Sequence, residues 1–521
     1  MYDLIIVGAG TAGCVLAERL TASGRLRVLL VEAGGAPDNR FVSIPAGFAK
    51  LFKSEVDWNF TSEPQAAAGG RRIYIPRGRM LGGSSNMNAQ VHQWCHPADY
   101  DAWAAAGADG WSWADVAPVF RAQEGCDVDE PRRGSDGPMR VLAAREVHPL
   151  TRAFVAAARA AGLGDQPTYN GGDYAGAWPC EMAHRHGRRF SAYDAYLRPA
   201  IGRANLEILT GAQAARIELD GGRARGVVVR RGRRERLLPA HGVVVACGAI
   251  GSPQLLTLSG IGPAETLARL GIAVRRDAAE VGGNLQDHPL VPLTFRSRGS
   301  DSLKNAESPA NLLRYLWGRR GMLASNGVEA MAFTRIAADA PAPDLELIFV
   351  PFEWRNEGLD PPREHGFTIG SAVVRPHSRG RLSVVSSDPT VPPAIDLGLL
   401  TDPRDRAVLL GGVRLARRIA ATAPLDGDRA AEIFPGERAE SDEELNAAID
   451  AQLQTVYHPT STCRMGSDAG AVLDPRLRVT GTERLWVADA SVMPSVPCGH
   501  PNAVVAMIAH RAAGFIESSL R

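Results

Sequence analysis

Gly8, Gly10 and Gly13 follow the apolar run Leu4-Ile5-Ile6-Val7, and Glu32 ends a second apolar run nineteen residues after Gly13. Each glycine has a physical task in a dinucleotide-binding turn. Gly8 permits the tight turn, Gly10 lets the backbone approach a pyrophosphate, and Gly13 lets the following helix pack on the strand. Thr11 and Ala12 open that helix, whose free N–H groups favour phosphate. Glu32, followed by Ala33, stands where a carboxylate accepts hydrogen bonds from an adenosine ribose. Strand, glycines, helix and acid in register indicate a bound dinucleotide, either NAD or FAD. Two late histidines offer a second chemistry. His458 lies in Tyr457-His458-Pro459, and His500 lies in Pro497-Cys498-Gly499-His500-Pro501-Asn502. A neutral imidazole can take a hydroxyl proton near pH 7.

These residues need elements to hold them. The pattern predicts a first strand and helix over residues 3–23 and a second strand over 27–32. It predicts a helix over 150–163 and strands at Leu206–Leu209, Gly226–Val229 and Gly242–Ala246 that continue the nucleotide-binding domain. Asp220-Gly221-Gly222 is a turn signal between the first two of these strands. Leu345–Val350, Gly366–Val374 and Gly380–Val385 read as strands of a separate sheet. Asp402 caps a helix over Asp402–Ala421 with Pro403 in its first turn. After 456 the chain is punctuated by glycine and proline, carries a strand at Leu485–Val487, and ends in a helix near Ala503–Leu520. The fold class is therefore α/β: a Rossmann-like dinucleotide domain at 1–290 and 456–521, interrupted by a substrate domain at 291–455.

Composition narrows the class. With 521 residues the chain exceeds one ordinary core. Its net charge of +1 lacks the basic excess of a nucleic-acid partner. Seven scattered cysteines, with no Cys-x-x-Cys pair, suit a reducing cytoplasm and argue against zinc. The first strand starts too early for a signal peptide, and no apolar run reaches the roughly 18 residues of a membrane span.

Longer segments carry a family resemblance. Arg77-Gly78-Arg79-Met80-Leu81-Gly82-Gly83-Ser84-Ser85-Asn86-Met87-Asn88 resembles the first signature of the glucose–methanol–choline (GMC) oxidoreductases. Gly248-Ala249-Ile250-Gly251-Ser252-Pro253-Gln254-Leu255-Leu256-Thr257-Leu258-Ser259-Gly260-Ile261-Gly262 resembles the second. Val281–His288, Tyr457-His458-Pro459 and Thr462–Gly466 are also similar to family segments. The overall flavour is that of choline-dehydrogenase-like bacterial members. The resemblance implies FAD rather than NAD, and a substrate domain built on an antiparallel sheet. It implies that the 77–88 loop, with Arg79, Gly82, Gly83, Ser84 and Asn88, lies against the flavin. Asp489 and Ala490 resemble a late cofactor contact. Met87 stands where some relatives carry a histidine that bonds covalently to the ring, so non-covalent FAD is expected. His92, Trp94 and Cys95 depart from the family pattern beyond Asn88.

The resemblance also implies His458 and His500 as the catalytic pair. His458 would take the alcohol proton while a hydride passes to flavin N5, and His500 would orient the oxygen. The terminal helix would point its positive end at the reduced ring, worth a few tenths to about 2 kcal/mol, and Asn502 is the candidate for a direct hydrogen bond to it. Tyr457 and Trp354 are candidate pocket residues. Glu329 is a candidate partner for a cationic substrate. His184-Arg185-His186 has metal-like alternation without a completing ligand, so no metal site is expected. Arg132-Arg133 and Arg230–Arg236 read as solvated loop charges. The expected activity is oxidation of a small primary alcohol to an aldehyde, with oxygen or a quinone as electron acceptor. The alternatives are a choline-type enzyme, an FAD-containing hydroxynitrile lyase and a non-catalytic flavoprotein.

Overall fold

A computed structural model describes residues 1–143, 146–166, 168–172 and 174–520. Its first sheet is parallel and five-stranded, in the order Leu206–Leu209, Val28–Val31, Leu4–Val7, Val243–Val245, Leu485–Val487. All four residues of Leu4–Val7 are buried, because helices cover both faces of a central parallel strand. Each such side chain contributes about 1.5–3 kcal/mol on burial. The next strand in sequence pairs on one side and a much later one on the other. The glycine turn after Val7 therefore sits where strand order reverses, the place such sheets reserve for ligands.

The helix Thr11–Thr21 leaves that turn and packs against the terminal helix Asn502–Leu520. A Cβ on Gly13 would lie 1.9 Å from the carbonyl oxygen of Gly8, so helix and turn meet only through glycine. Asn502–Leu520 is long and apolar enough to cross a membrane. More than half of it is buried, including Val504, Met507, Ile508 and Ile516, so its apolarity serves the core.

A seven-stranded sheet carries the other half of the site. Its order is Arg429–Phe434, Pro289–Ser297, Gly366–Val373, Leu345–Val350, Ala330–Thr334, Gly176–Pro179, with Gln454–Thr455 also paired to Pro289–Ser297. All of these pairings are antiparallel. Strand alternation sorts the two faces. Leu345, Leu347, Phe349, Phe367 and Ile369 face the helices Pro149–Ala160 and Pro403–Ala420, where they join Phe154, Leu409 and Ile419 in one core. Ile348, Val350, Thr368 and Gly370 face a cavity. The cap of the second helix is as expected: Asp402 accepts from the Arg404 N–H at 2.9 Å, with Pro403 in the first turn.

Three strand expectations need correction. Gly226–Val229 belongs to Arg223–Arg231, which pairs with Gln213–Asp220 and Arg234–Pro239 in a separate antiparallel sheet. The Asp220-Gly221-Gly222 turn joins Gln213–Asp220 to that strand, not Leu206–Leu209. The alternating pattern of Gln213–Asp220 is interrupted by register shifts, which hid it. Arg381–Ser383 lies outside the seven-stranded sheet and pairs only with Ala394–Asp396.

Candidate active site

A cavity of about 390 Å³ runs between the parallel sheet and the antiparallel one. Its walls include Gly8, Gly10, Thr11, Ala12, Glu32, Ala33, Gly83, Ser84, Asn88, Asp489, Ala490 and Asn502. Tyr457, His458, His500 and Trp354 line it too. Gly13, Arg79, Gly82 and Glu329 do not.

At the nucleotide end, a Cβ on Gly10 would meet nothing within 4 Å, so its backbone faces open space. Gly248, at φ 75°, is likewise open. Gly83 packs on Gly10 so closely that a Cβ would stand 2.7 Å from the Gly10 Cα, and the Gly82 N–H donates to the Ala9 carbonyl at 2.7 Å. The 77–88 loop is thus docked backbone to backbone on the dinucleotide turn. Glu32 is buried, and its oxygens accept from the Ala9 N–H at 2.9 Å and the Gly34 N–H at 2.8 Å. Burial raises its carboxyl above the ordinary range against those donors. As a wall residue it keeps acceptor capacity for ribose hydroxyls. Open glycine backbone, an aimed helix start and an anchored carboxylate together fit a dinucleotide.

Several expected contacts act from behind the wall. Gly13 sets the helix, and Gly82 anchors the loop. Arg79 stacks on Trp58, a wall residue, with its guanidinium 5.0 Å from the ring, and its charge lowers the Glu32 carboxyl. Asp489 touches the cavity, but its carboxylate accepts from the Gly248 and Ser491 N–H groups at 2.9 and 2.8 Å and from the Ser252 and Ser491 hydroxyls. Its side chain therefore caps two turns rather than reaching a ligand. Asn88 Oδ1 accepts from Arg189 at 2.8 Å, and Arg189 also donates to the Val42, Ser85 and Asn88 carbonyls. Burial lowers Arg189 to about 9. Met87 is buried in the cavity wall among Val42, Leu51, Val56 and Met80. Thr11 Oγ1 donates to Asn502 Oδ1 at 2.7 Å, which leaves the Asn502 amide N–H groups for a bound ring.

At the other end the imidazoles meet. The His458 and His500 rings lie 4.9 Å apart, edge to face. Tyr457, at φ 66°, turns the chain so that His458 follows a left-handed residue, an uncommon conformation for a side chain of this size. The His458 N–H donates to Asp287 Oδ1 at 2.8 Å. Its Nδ1 lies 3.1 Å from Nδ1 of His288. The tautomer in which His458 donates there leaves Nε2 as its basic nitrogen. His500 Nε2 lies 2.8 Å from Glu346 Oε1, and its N–H donates to Gln93. Burial, with the neighbouring imidazoles, holds His458 well below the usual histidine range and His288 at about 3. Burial pushes Asp287 up to about 6. His458 thus stays neutral and able to accept a proton.

Sequence reasoning missed His288, Glu346, Arg77 and the apolar wall apart from Trp354. His288 was legible only as part of a family segment. Glu346 gave a signal: it is the one carboxylate in Leu-Glu-Leu-Ile-Phe-Val, a strand buried throughout. Arg77, also on the wall, donates to the Tyr457 carbonyl. The wall from the antiparallel sheet is Leu290, Pro292, Ile348, Val350, Thr368 and Gly370, closed by Phe48, Phe52, Val328 and Trp354. Phe48 and Trp354 stack at 6.5 Å.

Glu329 is a correction. It is buried beside a second cavity and accepts from the His148 N–H, the Thr151 hydroxyl and the Ser325 hydroxyl at 2.7, 2.6 and 2.6 Å. It anchors a helix start and a turn, and does not face the histidines. Arg133 is another: it is buried and paired with Glu124 and Glu181 at 2.7 Å each. His92 lies 3.2 Å from Glu124, and Trp94 Nε1 donates to it at 3.1 Å. The departures at 92 and 94 therefore belong to an ion-paired core and not to the cavity wall. His184 is buried on Gln90, 2.6 Å away, and no cluster of metal-ligating residues occurs among the described residues.

The GMC oxidoreductase family models match residues 2–290 and 376–509. An uncharacterized GMC-type oxidoreductase of Mycobacterium tuberculosis is 43% identical over 525 residues, covering 99% of each chain. An oxygen-dependent choline dehydrogenase of Photobacterium profundum is 37% identical, covering 99% of this chain and 93% of that one. The solved pyridoxine 4-oxidase from Mesorbium loti superposes with a TM-score of 0.92 at 32% identity, covering 99% of both. The chain belongs to the GMC oxidoreductase family and is an FAD-dependent oxidoreductase acting on CH–OH donors.

Proposed function

We propose that the protein oxidises a small, neutral primary alcohol to its aldehyde, with His458 as general base and His500 orienting the alcohol oxygen. The observation that carries this reading is His458, held well below the usual histidine range, standing beside His500 against an apolar wall. FAD, when bound, supplies the hydride acceptor. The remaining work belongs to the chain. His458 takes the hydroxyl proton at Nε2, and the His288 contact at Nδ1 holds the ring in that tautomer. Glu346 fixes the His500 ring so that it meets the alcohol oxygen. Phe48, Leu290, Ile348 and Trp354 exclude water and hold the carbon chain. Among the described residues the carboxylates lining the cavity are Glu32 and Asp489, both at the nucleotide end and both anchored by protein donors, while Glu346 and Asp287 stand behind the histidines and bond to them. The wall that would hold the alcohol's carbon chain carries no carboxylate among the described residues, which favours a neutral alcohol.

The reading includes non-covalent FAD, because the Met87 thioether offers no nucleophile suited to attachment. It includes oxygen or a quinone as final acceptor. It also divides the chain into a nucleotide domain at 1–290 and 456–521 and a substrate domain at 291–455. The sheet memberships support that division, with Gly176–Pro179 as an extra edge strand lent to the substrate domain. The test is anaerobic rapid mixing with straight-chain and aromatic primary alcohols and with choline. Neutral alcohols should bleach the flavin absorbance and choline should do so far more slowly. Faster bleaching by choline would assign the aromatic wall to a cation. Release of aldehyde and cyanide from a hydroxynitrile without bleaching would make the protein a lyase.

A further inference from the structure

The ten-residue helix Pro309–Gly318 is built with its apolar face outward. Among its residues only Tyr315 is buried. Tyr315 packs inward with Leu323 against Ile44 and Ala46. Leu312, Leu313 and Leu316 are 45%, 59% and 59% exposed, and Trp317 is 92% exposed, the highest of any large apolar side chain among the described residues. At about 100° per residue these four occupy one arc of about 140°. A contiguous exposed apolar face of this kind marks an interaction surface.

Its charge says what covers it. From Ser308 to Arg320 the sequence holds three arginines and no acid. Arg314, Arg319 and Arg320 make no ion pair among the described residues. Arg319 caps the helix at φ 53° and lays its guanidinium 5.0 Å over the inward-packed Tyr315 ring, which leaves Arg314 and Arg320 as the segment's free cations among the described residues. An outward apolar stripe carrying tryptophan and flanked by unpaired arginines has the composition of a helix that lies in a membrane interface. A protein partner would have to bury those arginines, whereas anionic headgroups meet them at the apolar boundary.

We propose that Pro309–Gly318 is a membrane-surface anchor, with Leu312, Leu313, Leu316 and Trp317 in the headgroup–acyl boundary of an anionic bilayer and Arg314 and Arg320 on its phosphates. The proposal does not depend on which alcohol is oxidised. It does place the attachment beside the cavity. Ile44 and Ala46, under Tyr315, adjoin the Pro45–Leu51 turn, whose Phe48 lines the cavity and stacks on Trp354.

The test is cosedimentation of the flavin-loaded protein with phosphatidylcholine vesicles and with vesicles that also contain phosphatidylglycerol. The parent should bind the anionic vesicles strongly, bind neutral vesicles weakly, and be released by salt. Leu313→Ser with Trp317→Ser should reduce the partition coefficient tenfold or more. Arg314→Gln with Arg320→Gln should reduce it by roughly ten- to thirtyfold, on anionic vesicles only. Both double variants should keep the parent's alcohol-to-dye activity in vesicle-free buffer, which shows that they fold. Unchanged vesicle binding in either variant would overturn the proposal. So would a parent that ignores vesicles and runs as a dimer that Leu313→Ser with Trp317→Ser dissociates, since a second copy would then cover the face.

Discussion

Three imidazoles, His288, His458 and His500, stand in one row, and each has a different task. His458→Ala should slow anaerobic flavin reduction by roughly two to four orders of magnitude, the range for loss of a general base. Its FAD content should stay near the parent's, because the nucleotide is held by the glycine turn and Glu32. His500→Ala should also slow reduction, and His500→Asn should recover part of the rate by orienting the alcohol oxygen. Parent-rate bleaching in His458→Ala would remove it as the base. His288 acts through His458, and its signature is a pH dependence. Its folded value of about 3 lies below the ordinary histidine value of 6.5, through burial and the nearby His500. As pH falls below about 6.5 the unfolded chain takes up a proton at this position and the folded chain does not, so folding loses stability down to about pH 3. Asp287, Arg77 and His458 also face this ring's surroundings, so the comparison must be made against a variant. His288→Gln should lose less stability than the parent over that pH window, read from urea midpoints. Parallel pH curves would show that His288 is not buried neutral.

At the scale of elements, alternation decides what each strand offers. Leu345–Val350 turns Leu345, Leu347 and Phe349 to the helices and so must turn Glu346 and Ile348 the other way. That is how a carboxylate comes to stand on His500. The sequence marked this strand and its boundaries correctly, as it did Leu206–Leu209, Leu485–Val487 and the cap at Asp402. Short-range signals suffice there: apolar runs, a capping acid, a proline in the first turn. It failed at Arg381–Ser383 and Gln213–Asp220, where strand partners lie in sheets that no local pattern announces. It failed in the same way at Glu329. The family resemblance suggested a binding carboxylate there, but its donors include His148 and Thr151, remote in sequence. Glu329→Ala should therefore strip three donors of their acceptor. The cost should be about 2–3 kcal/mol of stability, seen as a lower melting temperature. The ratio of rates on neutral and cationic alcohols should not change. A selective loss on cationic alcohols would put Glu329 back in the binding site.

At the scale of the molecule, both ends of the chain close on the dinucleotide. Thr11, which opens the first helix, bonds Asn502, which opens the last; Asp489 bonds Gly248 across the parallel sheet. Family and cofactor were legible from sequence because these segments keep fixed residue types in fixed order. The apolar wall was not, because it is assembled from strands of a second sheet and from Phe48, which only the fold brings together. A ligand that touches all of these parts stabilises them as one unit. Any ligand bound only by the folded state adds stability by mass action, about 2.7 kcal/mol at a hundredfold excess over its dissociation constant. Added FAD should thus raise the melting temperature of flavin-depleted protein in a concentration-dependent way, and NAD should not. Gly10→Val should abolish that rise while leaving the melting temperature of the depleted protein near the parent's, since its Cβ meets nothing but the space a pyrophosphate would fill. Acid precipitation of the yellow protein should leave all flavin in the supernatant. Flavin retained on the pellet would mean a covalent link that Met87 cannot make, and another wall residue would have to be its source.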